Sequence, residues 1–233
     1  MTIAYFALLR RFPAPRWRIA SFVAAQALVL AVSITPLQTL ALNYLLSAHL
    51  LQNVVLAEWA PALAVVGVPP ALAAALARLP AARFFTHPAV ALPLWLFSYF
   101  AWHLPWAYDA ALAHPTTLLH LEHACYFGTG VLLWWPVVHE RPWPLSTGVR
   151  VVYLFAAFVL ASPLGLLLTL LPEPVYSFYE RAPQLWGLSD LADQQIAGVT
   201  MAGEQAVVFF AVFAFFLARF LREQEEAERP EPV

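Results

Sequence analysis

Long apolar blocks alternate along this chain with short breaks that carry proline and arginine. A helix needs ~20 mostly apolar residues to cross a bilayer. Six blocks approach that length: residues 17–35, 42–68, 88–103, 116–138, 149–171 and 194–221, the third being short. Residues 1–16 precede them as an interfacial segment. The run 3–9 is too short for a signal sequence, and its arginines follow it rather than precede it. Residues 222–233 are charged and proline-tipped, which predicts a disordered tail. Pro36, Pro69, Pro70, Pro105, Pro136, Pro142, Pro144 and Pro172 fall near block ends, where a missing N–H costs least. Pro61, Pro93 and Pro163 lie inside blocks and predict kinks that neighbouring helices must re-satisfy. The pattern predicts an all-α, polytopic transmembrane bundle of about six spans, or seven, as one domain over residues 17–221.

Composition narrows the class. The 233 residues are 62% hydrophobic and 11% charged, with a mean hydropathy of +0.70. A disordered chain needs the reverse balance. A soluble domain of this size cannot hide so much apolar surface. Nucleic acid is excluded as a partner, because a net charge of −2 leaves no basic excess for phosphates. Membrane lipid is the implied surroundings. The one cysteine, Cys125, excludes a disulfide framework. All 12 cations are arginines. Assigning the breaks to alternate sides puts every arginine except Arg181 on one side. The positive-inside rule makes that side cytoplasmic, and it holds both termini.

Histidine depth then becomes informative, since ionisable groups inside spans are costly and point to function. His87 and His139 fall at the cytoplasmic ends, and His114 in an outer loop. His49, His103, His120 and His123 all fall in the outer half. His49 lies ~10 Å and His120 and His123 ~6–10 Å below the outer ends of their spans, at 1.5 Å per residue. His120 and His123 are i,i+3 and share a helix face. His49, Gln52 and Asn53 form a second polar face, and Gln194 and Met201, seven apart, a third. Imidazole suits copper, zinc and iron, and thioether suits Cu(I). His49, His120, His123, Met201 and His103 are therefore candidate metal ligands, with Asn53, Gln52, Glu122, Gln194 and Glu204 in support. Glu122 points away from the His120/His123 face, toward another helix or the outer surface. Glu58 and Glu204 lie deep in their spans, as relay groups or as neutral hydrogen-bond donors. Other roles stay open for the same residues: interhelical hydrogen bonding for His49, the interfacial belt for His103, core filling for Met201, small apolar packing for Cys125. Trp102/Trp106 and Trp134/Trp135 read as interfacial anchors.

Four runs resemble the CtaG family of membrane assembly factors for caa-type cytochrome c oxidase. They are Ser47-Ala48-His49-Leu50-Leu51-Gln52; Trp102-His103-Leu104-Pro105 with Tyr108-Asp109-Ala110-Ala111; Leu119-His120-Leu121-Glu122-His123 with Trp134-Trp135-Pro136; and Asp193-Gln194-Gln195-Ile196-Ala197-Gly198 with Met201. The resemblance covers residues 40–222. It implies a multi-pass protein of a bacterial cytoplasmic membrane, oxidase subunits as partners, and copper delivery or insertion at the outer face. The family usually carries His-x-x-x-His in the second span. Asn53 replaces the second histidine here, so that helix offers one imidazole.

Three functions compete at this point. One is a copper-handling oxidase assembly factor with exchangeable ligands. Another is a haem-binding redox protein with axial histidines such as His49 and His123. The third is a cofactor-free scaffold that holds an oxidase subunit through the aromatic loop 172–190. No hydrolase constellation or phosphate-binding glycine loop is present, so no enzyme is expected. Oligomeric state leaves no mark in the sequence.

Overall fold

The structure, a computed structural model, describes residues 2–228. It is helical throughout. Helices α1 (Thr2–Leu9), α2 (Arg16–Ile34) and α3 (Pro36–Asn43) open the chain. Next, α4 (Leu46–Val54), a π-helical turn (Val55–Trp59) and α5 (Ala60–Gly67) form one continuous rod. Short helices α6 (Pro70–Leu76) and α7 (Pro80–Phe85) lead to α8 (Pro88–Trp102) and α9 (Pro105–Ala113). The remainder is α10 (Leu118–Val138), α11 (Thr147–Leu170), the single turn α12 (Ser177–Glu180) and α13 (Asp190–Glu228).

Each of the six predicted blocks is helical. Among the described residues, four rods are long and apolar enough to cross a membrane: Arg16–Ile34, Leu46–Gly67, Thr147–Leu170 and Asp190–Ala227. The 15-residue α8 is apolar but shorter. The 21-residue α10 has the length, but it carries His120, Glu122 and His123 in its first turns. Exposed Leu30, Val152, Phe155, Val207 and Phe210 form an apolar exterior suited to lipid.

Proline explains much of the segmentation. It occupies the first turn of α3, α6, α7, α8 and α9, where its fixed φ suits a helix start and no N–H is needed. Pro61 also accounts for the π turn. It has no N–H to give the Ala57 carbonyl, and the Ala60 N–H reaches back to Val55 instead. Gly130 of α10 packs directly on that Ala57 carbonyl, where an added Cβ would sit 2.3 Å from the oxygen.

Sequence position 222 does not end the last helix. α13 runs 39 residues to Glu228, ~58 Å at 1.5 Å per residue, about twice the hydrocarbon thickness of a bilayer. Residues 222–228 are therefore helical where a disordered tail is expected; 229–233 lie outside the described residues. Glu223 accounts for the continuation. It accepts hydrogen bonds from Arg219 one turn earlier (2.8 Å) and from Thr147 at the start of α11 (3.0 Å).

Helix α13 organises the bundle. Its most extensive partner is α11, through small residues that let the backbones approach: a Cβ on Gly198 would lie 2.6 Å from the Gly165 carbonyl oxygen. Its other main partner is α4. There the buried Asp193 carboxylate accepts from the Leu46 N–H (2.6 Å), the Ser47 N–H (3.3 Å) and the Ser47 hydroxyl (2.5 Å). An anion at a helix N-terminus meets unpaired N–H groups and the positive end of the dipole. At the opposite, arginine-bearing end, Arg18 donates to the Val66 (2.6 Å) and Val68 (3.0 Å) carbonyls that close α5.

Two outcomes test this packing. Gly198→Ala should lower stability in detergent by about 1–3 kcal/mol through overpacking. Gly203→Ala, with no atom within 4 Å of its Cβ, should be neutral or stabilising by up to ~1 kcal/mol. Denaturant unfolding of both variants checks the contrast. By the same measurement, Asp193→Ala should cost about 0.5–2 kcal/mol, the range for a lost helix cap.

Candidate functional site

The Asp193 cap sets where α4 begins, and His49 follows one turn later, fully buried. Its Nδ1 lies 3.0 Å from the Tyr179 hydroxyl. Tyr179 gives its only proton to the Ala41 carbonyl at 2.6 Å, so the hydroxyl oxygen accepts from His49. These partners place the imidazole proton on Nδ1. The Nε2 lone pair is bare, buried and without a partner among the described residues. Burial first, and then the charge of Glu122, push the Tyr179 phenol above its ordinary value, which keeps it a donor.

The same logic applies to two more histidines. His103 Nδ1 lies 2.7 Å from the Tyr99 carbonyl, which can only accept. The ring is buried and its Nε2 unpartnered. His120 Nδ1 donates to the Pro115 carbonyl at 2.7 Å, with its ring exposed. His123 is half-buried, and its Nε2 is buried and unpartnered. Its ring meets that of His49 nearly edge-on, with centroids 6.3 Å apart.

The candidate ligands divide into two neighbouring groups. His120 and His123 line a cavity of about 460 Å³ between α2 and α10, together with Gln26, Ser33 and Gln38. His103 and Met201 line a narrow void with Asn53, Tyr99 and Tyr126. His49 touches the first group through His123. Among the described residues, no three His, Cys, Asp or Glu side chains converge where they could hold a metal ion.

The supporting residues have definite partners. Glu122 is fully buried and accepts from Asn53 at 3.0 Å, so of its two expected directions it takes the one toward another helix. Asn53 thus serves Glu122 rather than His49. Gln52 turns away from the histidines and donates to the Val32 carbonyl at 2.8 Å and to Gln38. Gln194 accepts from the Val175 N–H (2.7 Å) and donates to the Leu168 (3.3 Å) and Glu173 (3.1 Å) carbonyls. It joins the end of α11 to the loop that follows. Glu204 accepts from the Trp59 indole.

Two expectations are corrected. Trp134 and Trp135 are buried, not interfacial, because α10 runs through the interior; Trp134 stacks on Phe209 of α13 at 5.5 Å. In the loop after α11, Tyr176 and Tyr179 are buried and face inward rather than toward a partner. Asp109 of α9 accepts from the Ser177 hydroxyl (2.7 Å) and the Phe178 N–H (3.1 Å), which pins α12 down.

The loop thereby supplies what sequence reasoning missed, a tyrosine cage. Tyr108 lies 5.0 Å from His49 and 5.7 Å from His103, and stacks at 4.0 Å on Tyr176. Tyr176 donates to the His103 carbonyl at 3.1 Å. Tyr176 and Tyr179 are i,i+3, so their shared face was a usable signal.

The profile of the cytochrome c oxidase caa3 assembly factor family, Caa3_CtaG, matches residues 3–223. No curated protein and no solved structure matches the chain significantly. The match spans nearly every helix described above, including all those that carry the histidines. The chain belongs to the cytochrome c oxidase caa3 assembly factor family.

Proposed function

We propose that this assembly factor carries copper as cargo during oxidase maturation, held chiefly between His49 and His123. One observation supports this most: the buried His49 and the half-buried His123 meet edge-on, with both Nε2 atoms buried and unpartnered. A buried polar atom without a partner is costly, and a metal ion satisfies two such lone pairs at once. Imidazole nitrogen binds metals at about 2.0–2.1 Å, so rings 6.3 Å apart are near enough to share one ion. Tyr179 acts as the outer partner that fixes the tautomer, a common device at metal-binding histidines.

Two nitrogens make an incomplete coordination set. That suits cargo that must be received and handed on, because open positions admit a ligand from donor or acceptor. His120 stands exposed on the cavity that His123 also lines, placed to take the ion first. Met201 and His103 border a separate, narrow void, and we read them as secondary contacts for the ion, the thioether favouring Cu(I). Asn53, holding Glu122, keeps α4 and α10 in register behind the histidines. Gln52 and Gln194 fix the surrounding helix ends. Family membership implies association with oxidase components; we read the chain's role as non-catalytic. The arginine distribution supports a reading with both termini in the cytoplasm and the histidines toward the outer face.

Metal analysis of the full-length protein, loaded with Cu(I) in detergent, tests this. Wild type should hold about one copper per chain, and His49→Ala and His123→Ala should each lose it. Tyr179→Phe should keep the ligands but weaken affinity by about 10–100-fold, the usual effect of removing a ligand's orienting partner. Haem iron in the purified protein, or copper retained in the His49/His123 double variant, would overturn the proposal. No copper in folded wild type that still supports oxidase assembly would favour the scaffold role.

A further inference from the structure

Glu58 and Glu204 are isolated carboxylates in the sequence, on separate rods. Two crossing hydrogen bonds bring them together: Gln205, next to Glu204 on α13, donates to Glu58, and Trp59, next to Glu58 in the π turn, donates to Glu204. We propose that they form one proton-binding site inside the membrane, holding a single proton shared between the two carboxyl groups.

The hydrogen-bond inventory carries the argument. One oxygen of each group is occupied. Glu58 Oε1 accepts from Gln205 Nε2 at 2.9 Å, and Glu204 Oε1 accepts from the Trp59 indole N–H. The other oxygen of each, Oε2, is shielded from solvent and has no donor among the described residues. Glu58 itself is 0% exposed. An ionised carboxylate can only accept, so two facing carboxylates leave both free oxygens unsatisfied and set like charges against each other in an apolar medium. A single proton resolves both problems, because the protonated oxygen donates to its neighbour. Two carboxylates in one site therefore hold one proton more tightly than either would alone.

The surroundings are built for this state. Tyr99 of α8 is the titratable side chain that faces the pair from a neighbouring helix, and its hydroxyl accepts from Gln205 Nε2 at 2.6 Å. Both Gln205 amide hydrogens are thus committed, to Glu58 and to Tyr99. Gln205 is itself 0% exposed, so it clamps Glu58 in place and is no relay. The π turn contributes both Glu58 and Trp59, one against each member of the pair. The site is distinct from the histidine cluster, and it stands whether or not that cluster carries copper.

Infrared spectroscopy of the full-length protein in lipid nanodiscs, titrated with pH, reads the proton directly. Subtracting the Glu58→Gln/Glu204→Gln double variant isolates the pair. At neutral pH the difference should show one protonated carboxylic acid per chain, and the pair should titrate in two separated steps. In Glu58→Gln and in Glu204→Gln the remaining carboxyl no longer meets a like charge. Its proton affinity should fall at least ~tenfold below that of the upper wild-type step. A remaining group that titrates at the wild-type upper step would make the carboxyls independent and overturn the proposal. So would two protonated acids, or none, at neutral pH. A second measurement needs only wild type. Solid-state NMR of glutamate-labelled protein at neutral pH should show a cross peak between a protonated and an ionised side-chain carboxyl carbon; its absence overturns the proposal even if the variants do not fold.

Discussion

The Asp193 carboxylate fastens the last helix to the start of the second rod. Its oxygens close the N-terminus of α4 through two backbone N–H groups and the Ser47 hydroxyl. Everything below inherits that register. His49 sits one turn into α4, Asn53 one turn deeper, and Glu58 beyond it in the π turn. On the facing helix, Met201, Glu204 and Gln205 descend from the same anchor. Without this joint the two rods could slide by a turn, and neither the pairing of Glu58 with Gln205 nor the void shared by Asn53 and Met201 would survive.

Apolar surroundings make every other polar group find a partner inside the protein. Most do. Gln194, Arg18 and Tyr176 are each committed to backbone groups on other segments, and the amide nitrogens of Gln52 and Asn53 are likewise committed. The Nε2 atoms of His49, His103 and His123 are among the buried polar atoms left without a partner among the described residues. For His49 and His103 the hydrogen bond is spent on Nδ1, which fixes the tautomer and turns the lone pair inward. Satisfying such atoms is what a cargo ion would do, and the same reasoning applies to the carboxyl pair with a proton in place of a metal.

Much of this was legible in the chain. Block lengths located the six long helical segments, and prolines at helix starts marked many of the breaks. The i,i+3 spacing of His120 and His123 put them on one cavity wall. Other features were hidden because they depend on partners distant in the chain. Tyr179 lies 130 residues from His49, and nothing local says that its loop folds back. Trp134 and Trp135 resemble interfacial anchors by composition, yet they are core residues, since burial depends on where α10 sits among its neighbours. The tail after 221 reads as disordered by charge, but Thr147 on α11 helps hold Glu223 in a helix.

Taken alone, the sequence determined the helical class, the membrane setting, and the resemblance to an oxidase assembly family that the profile match bears out. These follow from local quantities: apolar run length, proline and arginine position, helical periodicity and short motifs. Only the tertiary structure decided which polar groups meet. It paired Asn53 with Glu122, set His123 against His49, brought Tyr179 to His49, and placed Gln205 on Glu58 and Trp59 on Glu204. Such pairings depend on helix register and on the rotation each helix adopts about its axis. Those are set by close contacts such as Gly198 on Gly165 and Gly130 on the Ala57 carbonyl, which exist only once the helices have packed.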